Sequence, residues 1–296
     1  MDIFSDTTGE KYLYRYRPDK VYAIDEILNH YIRFSDKKSL NDVFEFYFGG
    51  ISDFKHSSIE EKTTIISNII LSMDKLGIEH KYSKEFLKSI NDPEFSYSSD
   101  ILNGKENEFL GYFQEVINKG SGPFEKHLEN VLISCFCKKP LNAIMMGHYC
   151  NRAKGVVIAY KRNFLDKAFI NTNLYDVIYS NHPYKIGVLD YLGLITGGDS
   201  SNYRNDLLAR KQKQWAYEDE VRAILPNSSS INKNIDIGSD GIAGVCFNPN
   251  ASKSFIKVVI NVCAQKSIPV FECSKKSGSY ELEANLFDIN KLSHHP

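Results

Sequence analysis

The sequence predicts an α+β protein. Two observations carry this: segments with the period-two alternation of strands occur toward both ends of the chain, and a block with helical spacing lies between them. A third supports it, because Gly155–Tyr160 is a nearly continuous β-branched run of the kind a strand buried on both faces requires.

Taken in order, Tyr12–Arg17 alternates strictly, with the tyrosines on one side and Leu13, Arg15 and Arg17 on the other, and Pro18 ends it. Ala23–Asn29 carries Ile24, Ile27 and Leu28 at helical spacing, and Ile32–Ser35 reads as a second short strand. In Ser39–Glu45, Asp42 with Glu45 three residues on reads as the capped start of a helix. The next stretch is helical: Ile59–Leu76, Lys84–Ile90 and Glu106–Ile117 are separated by Asn91-Asp92-Pro93 and Gly120-Ser121-Gly122-Pro123. It forms a helical insertion, about 55–130, in a single domain spanning 1–296.

Strands resume at Val131–Phe136, a short helix carries Asn142–Tyr149, and Gly155–Tyr160 and Tyr175–Tyr179 are further strands. Leu207–Gln214 reads as a basic helix with Arg210, Lys211 and Lys213, and Val221–Leu225 as a short strand. Ile242–Phe247 is a strand and Ala251–Lys266 a helix, and Ile268–Cys273 pairs with Tyr280–Leu282 as a closing hairpin.

Composition narrows the function classes. With 42% hydrophobic residues, 25% charged residues and a net charge of -1, the chain lacks the positive field of a dedicated nucleic-acid binder. No apolar run approaches the roughly 20 residues of a membrane helix, and Met1–Thr8 has two aspartates and no basic residue, unlike a signal peptide. A cytoplasmic protein without a membrane partner is expected. The six cysteines lie in or beside apolar segments and read as reduced core residues; without C-x₂-C pairs and histidine partners, no metal site is expected.

Chemistry is sought in Gln212–Leu225, which holds the single tryptophan, Trp215. Continuous strand geometry there sends Glu218, Glu220 and Arg222 to one side, forming either a solvated salt-bridge rim or the floor of a site. No dinucleotide fingerprint, P-loop, H-E-x-x-H or G-x-S-x-G occurs. His148 is the leading histidine, and nothing in the sequence marks the adjacent Cys150 as a thiolate.

In order along the chain stand Leu13-Tyr14-Arg15-Tyr16-Arg17-Pro18, Ile32-Arg33-Phe34-Ser35, Leu40-Asn41-Asp42-Val43-Phe44-Glu45, Ser134-Cys135-Phe136, Met146-Gly147-His148-Tyr149, Lys154-Gly155-Val156 and Trp215-Ala216-Tyr217-Glu218-Asp219-Glu220-Val221-Arg222. Together these motifs resemble the bacterial family called domain of unknown function 2971. Val43 stands where the family pattern has proline, and Met146 where it has tryptophan.

The order of elements also resembles that of ADP-ribosyltransferases. This second resemblance implies a split mixed or antiparallel sheet and NAD as substrate, with ADP-ribose passed to a macromolecular acceptor or to water. Carried over by position, it makes Arg15 the NAD anchor, Ser35 a secondary polar contact and Tyr149, beside His148, the aromatic on nicotinamide. Glu220 becomes the catalytic carboxylate and Glu218 the group orienting the acceptor. A bacterial toxin or anti-phage defence effector with an antitoxin or defence-system partner would follow. Two other readings stay open. One is a nucleotide- or nucleic-acid-binding sensor using Arg204–Lys213 and Trp215; the other is a metal-dependent nuclease using Asp42, Glu45, Glu218 and Glu220.

Overall fold

The computed structural model describes residues 3–52, 59–80, 106–129, 131–169, 174–196, 206–226 and 232–288. The chain divides into two compact units, one of residues 1–41, 131–179 and 211–296, the other of 42–130 and 180–210. In chain order come β1 (Tyr12–Arg17), α1 (Val21–Leu28), β2 (Tyr31–Arg33) and β3 (Ser35–Asp36). The second unit then supplies β4 (Phe48–Ile51), α2 (Ile59–Leu76) and α3 (Glu106–Glu129). After these follow β5 (Val131–Cys137), α4 (Ala143–Tyr149), β6 (Val156–Lys161), α5 (Arg162–Ala168), β7 (Leu174–Asp176) and β8 (Ile178–Ser180). The second unit adds β9 (Tyr184–Ile186) and α6 (Val188–Ile195). β10 (Arg210–Gln212), a 3-10 helix (Lys213–Glu218), β11 (Glu220–Pro226), β12 (Asn234–Asp236), β13 (Ile242–Phe247), α7 (Lys253–Gln265), β14 (Val270–Lys275) and β15 (Leu282–Leu286) complete the order.

The first unit is built on a nine-stranded sheet in the order β15-β14-β13-β6-β1-β5-β11-β7, with β3 also paired to β5. β13 and β14 run parallel, joined through α7, while the other pairs of the sheet are antiparallel. The protein is therefore α+β with a mixed sheet. Alternation sorts β1 cleanly: Leu13, Arg15 and Arg17 lie opposite Tyr160, Ile158 and Val156, while Tyr14 lies opposite Ala159 and Cys137.

One face joins Leu13, Ile158, Tyr160, Phe136 and Val221 to Ile27 of α1, Leu165 of α5 and Val259 of α7. The other joins Tyr14, Tyr16, Cys137 and Val157 to Ile3, Phe4 and the α4 pair Met145 and Met146. Each fully buried aliphatic or aromatic side chain contributes about 1.5–3 kcal/mol, so both faces support the sheet. Entry into β6 requires glycine at 155, because a Cβ there would lie 1.9 Å from the Arg17 carbonyl oxygen.

The second unit pairs β4 with β9 in parallel and packs α2, α3 and α6 together. Here the expected break at Gly120–Pro123 is corrected, because α3 runs through it. The glycine serves packing: a Cβ on Gly120 would meet Ile195 Cδ1 at 2.8 Å and the Tyr191 hydroxyl at 3.0 Å, both on α6. Tyr191 also donates to the Ile117 carbonyl at 3.2 Å.

Other expectations shift too. The helix expected over Leu207–Gln214 is cut short: Leu207 and Leu208 are helical, but β10 and the 3-10 helix take the rest, with extended backbone at Gln212 (ψ 141°) between them. Asp42 starts no helix; it accepts from the Phe44 N–H at 2.9 Å in an Asx turn, and Phe46 follows with φ 56°. The strand expected over Tyr175–Tyr179 is interrupted at Val177, whose N–H turns to the Glu220 carbonyl at 3.0 Å. The helix expected at Lys84–Ile90 lies outside the described residues. Among the described residues, no helix is long and apolar enough to cross a membrane.

Candidate functional site

The acidic stretch is shaped by a break in strand geometry. The 3-10 helix ends on Asp219 in the left-handed region (φ 46°), where the Asp219 carbonyl accepts from the Lys138 N–H at 3.0 Å. After this kink β11 enters the sheet with Glu220 opposite Cys137 and Arg222 opposite Cys135. Glu218 thus belongs to the helix and Glu220 to the strand, and a third residue joins them.

That residue is Lys211 on β10. Its ammonium donates to Glu218 Oε2 at 2.5 Å and to Glu220 Oε2 at 3.3 Å. Arg222 donates through Nε to Glu220 Oε1 at 2.8 Å and through Nη2 to Glu220 Oε2 at 3.3 Å. The Tyr179 hydroxyl accepts from the Glu220 N–H at 2.8 Å. All four charged side chains are buried, and two carboxylates facing two cations make burial tolerable, since an unpaired buried charge costs several kcal/mol.

The two carboxylates are not equivalent. Burial raises the proton affinity of Glu220, but Arg222 and Lys211 outweigh it and bring its pKa down to about 2. For Glu218 burial again raises the pKa, Lys211 opposes and Glu220 reinforces, and the result lies above the ordinary carboxylate value. Both oxygens of Glu220 face Arg222, whereas Glu218 gives one oxygen to Lys211 and the other to the Tyr149 hydroxyl at 2.5 Å. The Tyr149 hydroxyl in turn accepts from the exposed Asn41 amide at 2.9 Å. A hydrogen-bonded path therefore runs from solvent through Tyr149 to Glu218.

Aromatic rings flank this path. His148 meets Trp215 and Tyr217 edge-on at centroid separations of 6.2 and 6.0 Å, and Lys211 lies 4.8 Å from the Trp215 ring centroid. Asn142 fixes α4 against them: its Oδ1 caps Ile144 and Met145, and its side-chain amide donates to the Tyr217 carbonyl at 2.9 Å. Beyond α4, Asn151, Arg152 and Ala153 are successively left-handed (φ 48°, 60°, 60°). This costs about 1–2 kcal/mol per residue, and hydrogen bonds from the Ala153 N–H to Met146 and from the Lys154 N–H to Cys150 hold the turn.

The expected site residues separate. Glu218, Glu220 and Tyr149 are brought together, and His148 sits at the exposed rim. Arg15 is not among them: Tyr14, Cys137 and Glu220 are aligned across three strands, so Arg15 points to the opposite face. There it donates to Glu26 at 2.8 Å and lies 5.4 Å from the Phe136 ring centroid. Ser35 pairs with Ile133, four positions along β5 from Cys137.

Lys211 and Tyr179 join the site without a mark in the sequence as site residues, whereas Asn41 stands in one of the family-like motifs and could be read there as lining a site or capping a helix. Lys211 reads there only as local positive charge, and a lysine seven residues before a buried glutamate carries no signal of its own. Cys135 and Cys137 share the face with Glu220, but burial and the Glu220 charge push both thiols up, which disfavours the thiolate form. Burial likewise raises Cys150 to about 12. Among the described residues, no three His, Cys, Asp or Glu side chains are grouped to hold a metal ion.

A mixed-sheet α+β unit with two carboxylates buried against a lysine and an arginine is the class of protein this geometry defines. Residues 145–223 match the family described as "Protein of unknown function (DUF2971)", the family to which the motifs pointed. The matched segment contains Tyr149, Tyr179, Lys211, Glu218, Glu220 and Arg222. Comparison with curated proteins and with solved structures finds no match.

Proposed function

We propose that this chain breaks the N-glycosidic bond of NAD, passing ADP-ribose to a macromolecular acceptor or to water, with Glu218 as the carboxylate that acts. The observation that carries this reading is the path from Asn41 through Tyr149 to Glu218, which links an exposed side-chain amide to a buried carboxylate of raised proton affinity. Nicotinamide departs with the bonding electron pair and leaves an oxocarbenium-like ribose, which a nearby carboxylate stabilises more than it stabilises the ground state. Glu218 then takes the proton of the attacking hydroxyl. Glu220, claimed by Arg222 and Lys211, sets the field rather than reacting.

Tyr149 covers Glu218, so the phenol moves aside when ribose enters. His148, Trp215 and Tyr217 offer rings against which a planar base can pack. Arg15 has no part in this assignment. A toxin or anti-phage effector role is proposed with it.

Incubation of the purified chain with labelled NAD and bacterial lysate tests the reading. Wild type is expected to release nicotinamide, and Glu218→Gln to do so on the order of 10²-fold more slowly. Equal release by the two proteins overturns it. Salt-dependent RNA binding that survives Glu218→Gln, with no NAD turnover, favours the nucleic-acid-sensing alternative instead.

A further inference from the structure

We propose that the β1–α1 corner, on the sheet face opposite Glu220, is a binding site for a phosphate-type oxyanion, with Arg17 as its principal donor. Glu26, buried on the inner side of α1, is the only carboxylate among the described residues that pairs with Arg15 or Arg17. Its Oε1 accepts from Arg15 Nη1 at 2.8 Å and from the Tyr160 hydroxyl at 2.5 Å. Its Oε2 accepts from Arg17 Nε at 2.8 Å and faces Arg17 Nη2 at 2.7 Å. Two guanidiniums therefore share one carboxylate and leave one positive charge uncompensated.

Burying an uncompensated charge is unfavourable unless a counter-charge is available, and the geometry shows where one can enter. Arg15 is sealed: it is 6% exposed, its Nη2 goes to the Arg33 carbonyl at 3.3 Å, and its Nε is buried without a partner. Arg17 is 19% exposed. It spends Nε and Nη2 on Glu26, which leaves Nη1 without a hydrogen bond among the described residues.

The other carboxylates at this corner are hydrogen-bonded elsewhere. Asp19 accepts from Asn151 Nδ2 at 2.7 Å, and Asp25 accepts from Tyr31 and Asn29, both at 2.6 Å. Neither forms an ion pair with an arginine. Lys20 and Tyr22 are exposed, and the first turn of α1 has neither a capping side-chain hydrogen bond nor an acidic residue, so α1 brings no anion of its own to this corner at that end.

A planar guanidinium held by a carboxylate on one edge presents fixed donors on the other, the geometry that selects oxyanions. Phosphate, free or carried by a larger molecule, has the charge and the acceptor oxygens to fill it. The site is independent of NAD turnover, because strand alternation separates it from Glu218 and Glu220.

The test uses the full chain and inorganic phosphate, with chloride at matched ionic strength as control. Phosphate is expected to raise the wild-type Tm in a saturable manner, and adenosine monophosphate to do so at lower concentration if the phosphate belongs to a larger ligand. Arg17→Gln is expected to abolish the rise. Because that variant loses a contact to Glu26, a second measurement uses wild type alone. Phenylglyoxal modification of Arg17, mapped by peptide mass spectrometry, is expected to slow several-fold in phosphate but not in chloride. Unchanged modification of Arg17, or equal stabilisation of wild type and Arg17→Gln, overturns the proposal.

Discussion

Glu218 and Glu220 share one ammonium: Lys211 Nζ lies 2.5 Å from the first carboxylate and 3.3 Å from the second. Arg222 then adds its guanidinium to Glu220. The result is a graded pair: Arg222 and Lys211 hold Glu220 as an anion, while burial pushes Glu218, hydrogen-bonded to Tyr149, above the ordinary carboxylate range.

Removing the shared cation should be the most damaging single change in the network. Lys211→Met leaves two buried carboxylates with Arg222 as the only cation of the four. Breaking a buried ion pair from one side costs about 3–5 kcal/mol, and a urea titration at neutral pH should read a loss of that size. A loss below about 1 kcal/mol, typical of exposed pairs, would show that the network is not buried in solution.

The two glutamates should separate on acidification. Glu220 is held near 2 against an ordinary 4.5, so it contributes stability that is fully present above about pH 4.5 and lost as pH falls toward about 2. Glu218 is shifted upward, so the folded state takes up its proton first, and ionising it lowers stability as pH rises. Glu220→Gln is therefore expected to flatten the acid limb of stability against pH, and Glu218→Gln to steepen it. Denaturation midpoints collected from acidic to neutral pH check both signs.

Tyr149→Phe deletes the donor to Glu218 while keeping the ring. A hydrogen bond to a charged group is worth about 1.5–3 kcal/mol, and its loss should move the Glu218 pKa further up. Carbon-detected NMR titration of the Glu218 carboxyl reads this directly; a downward move contradicts the hydrogen-bonded geometry.

Gly155→Ala places a methyl group on the Arg17 carbonyl, 1.9 Å from its oxygen, a separation that no real Cβ reaches. Overpacking of this kind costs about 1–3 kcal/mol or more. Because the clash sits where β1 ends and β6 begins, thermal unfolding of the variant should begin well below that of wild type. An unchanged Tm contradicts the register at Arg17 and Val156.

Much of the first unit was legible locally. The alternation of Tyr12–Arg17 and the apolar run ending at Tyr160 are properties of adjacent residues, and both became strands with the expected faces. The relation of Arg15 to Glu220 was not legible, because each alternation fixes two faces without saying which face of one strand matches which of another. That depends on the alignment of Tyr14, Cys137 and Glu220, residues more than 80 positions apart in sequence. Lys211 escaped for a related reason, since it reaches the carboxylates only because β10 is extended and Asp219 is left-handed. Gly120 shows the opposite error: a residue that ordinarily marks a turn was answering to a neighbouring helix.

The central place of β1 has a kinetic consequence. Its sheet partners are β5 and β6, whose residues lie between 131 and 161, and residues 42–130, which belong to the other unit, are synthesised before either appears. During synthesis the Tyr12–Arg17 ribbon must therefore wait for its strand partners until Cys137 and then Lys161 have left the ribosome. Long-range closure of this kind slows folding and exposes an unpaired strand to association. Chaperone dependence should accordingly be greatest for nascent chains arrested between β1 and β6.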